Sequence, residues 1–133
     1  MDAARARHLL LGHAFLLDDL DDPAMRNSFS LSLRPYQGLR RDLCREIEAC
    51  LRALASELEA QQLDRELVAA LWIIGWTARN WALHPESMLR RNNLIAPEDR
   101  AWLDDWTNRF DTCVCFLIEG AGQTEAFAVW EAT

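Results

Sequence analysis

The chain has 133 residues, with 14 arginines, no lysine and 21 acids, giving a formal charge of −7 and a pI near 4.9. Half the residues are apolar and 26% are charged, the balance of a folded domain rather than a disordered or collagen-like chain. That length supports one core without disulfides or metals, while the acidity excludes general nucleic-acid binding and docking on anionic membranes.

The N-terminus runs from a charged start into Leu9-Leu10-Leu11-Gly12-His13-Ala14-Phe15-Leu16-Leu17, the outline of a signal peptide. His13 interrupts that run, and Asp18 and Asp19 end it with no small-residue cleavage pattern before them. A helix over about 2–17 is expected instead, with Leu9, Leu10, His13, Leu16 and Leu17 on one stripe. Asp18, Asp19, Asp21, Asp22 and Pro23 stop it, because carboxylates oppose the C-terminal dipole and proline cannot continue the ladder. Ser28-Phe29-Ser30-Leu31-Ser32-Leu33 then alternates with the period of a strand. A lone strand has no partner, so an extended connection laying Phe29, Leu31 and Leu33 on the core is expected.

Pro35 suits the first turn of a second helix, in which Tyr36, Leu39, Leu43, Ile47, Cys50, Leu51, Leu54 and Leu58 recur at three- and four-residue steps. Its opposite side carries Arg41, Arg45, Glu48, Arg52 and Glu59, with Glu48 and Arg52 in the favourable i,i+4 order. Asp64 is placed to cap a third helix over 65–83. That helix is apolar on nearly every face, so a central position surrounded by the others is expected. Ser87 caps a short turn over 88–91. Pro97, Glu98 and Asp99 open a fourth helix whose stripe is Trp102, Leu103, Trp106, Phe110, Cys113, Val114 and Leu117, closed by Gly120. A tail over 124–131 brings Phe127 and Trp130 back onto the core. The expected fold is all-α: a single-domain bundle of about four main helices with a short helical tail.

Chemistry-bearing motifs fail on spacing. The Asp18–Asp22 run lacks the glycine and closing glutamate of a calcium loop. His8 and His13 stand about 140° apart on a helix, so they do not form a metal-ligand pair. No Glu-x-x-His, His-Glu-x-x-His or Gly-x-Ser-x-Gly pattern occurs, and the five glycines are scattered. Cys113-Val114-Cys115 has neither zinc nor redox spacing, so the four cysteines are expected as reduced core thiols of a cytoplasmic protein. No catalytic residue, metal or cofactor is expected.

Two features remain. Thr77, Arg79, Asn80 and His84 form a polar patch on the apolar third helix, where Arg79 needs an acid such as Asp105 or Asp111, or lines a small-ligand pocket. Six tryptophans exceed what a small core holds, and Trp130 with one member of the third helix is the expected exposed surplus. Charge is also uneven. Residues 1–33 carry three arginines against five acids, 34–83 seven against seven, and 84–133 four against nine. The leading expectation is a non-enzymatic protein-binding module of the inhibitor or immunity type. It would cover a basic surface of a partner through Asp18, Asp19, Asp21, Asp22, Asp104 and Asp105, with Trp130 as anchor. The alternatives are a ligand-binding or enzymatic bundle around Arg79, Asn80 and His84, and a helical homodimer.

Overall fold

The computed structural model describes residues 1–131, and within them every regular element is helical, with no strand. Asp2 caps α1 (Ala3–His13) by accepting the Arg5 N–H at 2.8 Å. The helix ends four residues earlier than the pattern implied, where Phe15 turns left-handed at φ 61° and leaves Leu16 exposed. The acids that follow start the next element rather than end this one: Asp22 caps α2 (Pro23–Arg26) by accepting the Ala24 N–H.

The expected extended connection is instead a second helical turn, α3 (Phe29–Ser32), capped by the Ser28 hydroxyl. Every-other-residue alternation and one helical turn overlap here. Phe29 and Leu33, four apart, share a helix face and are 1% exposed, while Leu31 points outward at 37%. Pro35 does not open the second long helix either. It follows a cis Arg34–Pro35 bond in a loop through Gly38, at φ 115°, and α4 (Arg41–Ala53) starts six residues later.

The expected stripe on that helix packs inward, with Leu43, Ile47, Cys50 and Leu51 buried on α4. Leu54 breaks the helix, and α5 (Ala55–Glu59) carries the buried Leu58 onward. On the outer side Glu48 pairs with Arg45 at 3.1 Å rather than with Arg52. Arg52 lies over the Phe127 ring instead, 4.6 Å from its centroid.

Asp64 caps α6 (Arg65–Ala78) through the Glu66 and Leu67 N–H groups and is held from α1 by Arg7 at 2.6 Å. The last turn of this region widens into a π-helical turn, Arg79–Leu83. Ser87 caps α7 (Met88–Arg91), and Pro97 stands in the first turn of α8 (Pro97–Glu119), which Gly120 ends in the left-handed conformation. The tail forms α9 (Gln123–Ala128).

Helix α1 packs on α4 and α6, and α8 packs on α4, α5, α6 and α9. Leu10, Phe29, Ile47, Leu51, Ile74, Leu103 and Phe110 fill the common core. Helix α6 is not surrounded, contrary to its composition. Among the described residues only α1, α3, α8 and its own π turn pack substantially on it, and Trp72 is left 74% exposed and Trp76 47% exposed.

Candidate functional site

The open side of α6 borders α8, and between them runs a groove of about 380 Å³. Val68, Trp72 and Trp76 line it from α6, and Val114, Cys115 and Ile118 from α8, with Phe110 below. The i,i+4 spacing sets both indoles on one side of α6. On α8, Asp111, Cys115 and Ile118 follow at steps of four and three, a second stripe beside the buried one of Leu103, Trp106, Phe110 and Cys113. Asp104 falls on the same stripe, one heptad before Asp111.

Arg79, Asn80 and Asp111 supply the polar part of the groove. The Arg79 guanidinium pairs with Asp111, the partner anticipated for it alongside Asp105; Asp105 pairs with Arg109 at 2.8 Å instead. Gly75 makes room for that pair: a Cβ there would stand 3.1 Å from Asp111 Oδ1 and 3.2 Å from an Arg79 terminal nitrogen. The Asn80 amide donates to the Trp76 carbonyl at 2.9 Å, closing the polar end around the second indole.

The four polar residues anticipated as a pocket therefore separate. Arg79 and Asn80 line the groove, Thr77 is buried at 2% exposure, and His84 borders a shallower hollow with Asn80, Pro85, Glu86 and Ser87. Helical spacing explains part of the split, since Thr77 stands about 160° from Arg79 and about 100° from Trp76 around the helix, and the π turn precedes His84.

The six acids anticipated as a docking face do not gather. Asp18 is exposed; Asp19 accepts the Asp21 N–H, and Asp21 pairs with Arg26 at 2.9 Å. Asp22 is held below the usual carboxylate range by the Ala24 N–H, with help from His8 at 2.9 Å. These acids build the α1–α2 corner, whereas Asp104 and Asp105 stand exposed on α8; α2 and α8 share no substantial packing among the described residues.

Trp130 is not the exposed anchor. It packs half-buried on Trp106 with ring centroids 6.0 Å apart, and its indole N–H is turned inward beside the Cys113 thiol. Trp106 is buried and donates to Glu48 at 3.1 Å, and Trp102 lies under Arg41 and Arg45. The exposed indoles are the two on α6.

Three cysteines are buried and Cys115 is exposed at the groove, all four unpaired. Burial pushes the Cys50 thiol up to about 12 and the Cys113 thiol up to about 11, which keeps both protonated and inert at neutral pH. Among the described residues no three His, Cys, Asp or Glu side chains cluster to hold a metal, and no helix is long and apolar enough to cross a membrane.

One polar cluster for which spacing gave no signal joins α1, α3 and α4. His13 is 1% exposed; its Nδ1 accepts the Phe29 N–H at 3.0 Å and its Nε2 meets Glu46 at 2.6 Å. Its carbonyl accepts the Ser30 hydroxyl at 2.6 Å. These bonds fix the neutral Nε2–H tautomer and tie α1 to α3 and α4. Burial holds the imidazole pKa below its ordinary value, with Glu46 opposing only in part.

Comparison with protein-family models, with curated proteins and with solved structures finds no match to this chain.

Proposed function

We propose that the chain is a non-enzymatic, cytoplasmic protein-binding module that takes an amphipathic helix of its partner into the α6–α8 groove. The observation that carries this reading is the exposure of Trp72 and Trp76 on one side of a helix whose other faces are packed. Exposed, clustered tryptophan is costly to keep in water and dominates the energy of interfaces. Four long helices, α1, α4, α6 and α8, serve as the rigid bundle that presents it.

The groove's shape favours a helix over a compact small molecule. From Val68 to Arg79, α6 advances about 16 Å, the length of a three-turn segment carrying anchors at i, i+4 and i+7. It is about half open to solvent, whereas a small-ligand pocket encloses most of its ligand. A second copy of this chain fits less well. Two copies each carry −7 and repel. The same −7 speeds the approach of a partner with a basic surface.

Affinity capture from the native host with three baits tests this. The wild-type chain and an Asp18→Asn/Asp19→Asn/Asp21→Asn/Asp22→Asn bait are expected to retain the same partner, and a Trp72→Ala/Trp76→Ala bait to lose it. The reverse pattern would move docking to the α1–α2 corner. A wild-type chain that only self-associates would replace the module by a homodimer.

A further inference from the structure

The groove is apolar along most of its length, yet α6 spends a mid-helix glycine to place one ion pair in it. Glycine inside a helix is less favourable than alanine by roughly 1 kcal/mol. What Gly75 makes possible is the position of Arg79 and Asp111, whose terminal nitrogen and Oδ1 both lie against the space a Cβ would fill. The pair is joined through the other guanidinium nitrogen and the other carboxylate oxygen. One donor group and one acceptor oxygen therefore stand side by side, and the two side chains keep 32% and 47% of their surface in solvent.

We propose that this pair is a specificity element that reads a neutral carboxamide, a glutamine or asparagine side chain on the docked helix. The inference rests on the groove being the docking surface. A carboxamide carries both an acceptor oxygen for Arg79 and an N–H donor for Asp111, so it satisfies both without breaking their bond. A lone cation meets only the leftover oxygen and stands beside the like-charged guanidinium, and a lone anion meets only the leftover nitrogen beside the like-charged carboxylate. Each leaves one of the two leftover groups without a partner once the docked helix covers it. The Asn80 amide, already bonded to the Trp76 main-chain carbonyl, adds no charge. The pair is thus neutral overall but bifunctional, and its complement is the same.

Three probes with one aromatic body test the reading: phenylacetamide, phenylacetate and phenethylammonium. Each is titrated into the ¹⁵N-labelled full chain, following the indole N–H resonances of Trp72 and Trp76. The amide is expected to bind about tenfold more tightly than either ion, the difference made by one or two well-formed hydrogen bonds. In Arg79→Met/Asp111→Leu the three are expected to converge on a shared weak affinity from the ring alone. Gly75→Ala, which displaces the pair, is expected to reduce the preference while leaving the indole shifts. Equal binding of all three to the wild type, with both indoles shifted, would overturn the carboxamide assignment and leave the groove standing. Tightest binding of an ion would overturn it likewise. If no probe moved either indole, the docking surface itself would be wrong and the inference would fall with it.

Discussion

Between α1 and α4 the imidazole of His13 is sealed, and each of its polar atoms is used: Nδ1 by the Phe29 N–H, Nε2 by Glu46, and the main-chain carbonyl by Ser30. Between α6 and α8 the Arg79–Asp111 pair stands half in solvent, with a donor and an acceptor left over. Both are polar groups at a contact between long helices. The first has nothing to offer a ligand, because its hydrogen-bonding capacity is spent on joining α1, α3 and α4. The second is flanked by exposed indoles instead of packed leucines, and its leftover nitrogen and oxygen lie beside Gly75 in the lining of the groove. A fully satisfied buried polar network specifies structure, whereas a partly satisfied one at an open apolar groove is equipped for recognition.

Substitutions on the sealed side should therefore read out as stability, and those on the open side as binding. The largest effect is expected at Gly12, where α1 and α2 approach so closely that a Cβ would stand 2.4 Å from the Ala24 carbonyl oxygen. Backbone cannot swing away as a side chain can, so Gly12→Ala is expected to lower the unfolding free energy by about 3 kcal/mol, measured by urea denaturation. Next comes His13→Leu. It leaves the buried Phe29 N–H without an acceptor and Glu46 without its partner, for an expected loss of about 2 kcal/mol in the same assay.

A third prediction concerns pH. Burial lowers the His13 pKa in the folded chain, so the unfolded chain binds the proton more readily. The stability that neutral His13 contributes is complete above its ordinary value of 6.5. It falls as the pH drops below 6.5 and levels off at the lowered folded value. Wild type minus His13→Gln, followed by thermal unfolding between pH 7 and 5, is expected to show this loss in the wild type alone. A difference that stays constant with pH would mean that His13 is not held neutral. The smallest effect on stability is expected at Trp72→Ala, a mostly exposed position: within about 0.5 kcal/mol of wild type, but with loss of partner capture. If that variant unfolded early, the indole would be supporting the fold and the contrast between the two sides would collapse.

Much of the architecture was legible because capping and periodicity are local. Asp64 before α6, Ser87 before α7, Pro97 in the first turn of α8 and Gly120 after it all stand where their chemistry places them. Misreadings arose where one pattern serves two structures. Phe29 and Leu33 satisfy both strand alternation and a helical i,i+4 step, and only the Ser28 cap separates the two. The exposure of α6 was not legible, because composition counts apolar residues and not the neighbours available to cover them. Asp111, Cys115 and Ile118 were within reach as a second stripe on α8, and Gly75 as a glycine inside a long apolar helix. The acids anticipated as one face fall in two places for a local reason: Asp19, Asp21 and Asp22 make caps and ion pairs within their own corner, while Asp104 and Asp105 stand on α8.

The most direct measurement is photo-cross-linking in the native host, with a photoreactive phenylalanine derivative in place of Trp72 and, as control, in place of the exposed Arg91 on α7. The account predicts one partner adduct from position 72, resistant to salt because the contact is apolar, and none from position 91. An adduct formed equally from both positions, or one from position 72 that contains only a second copy of the chain, would contradict it.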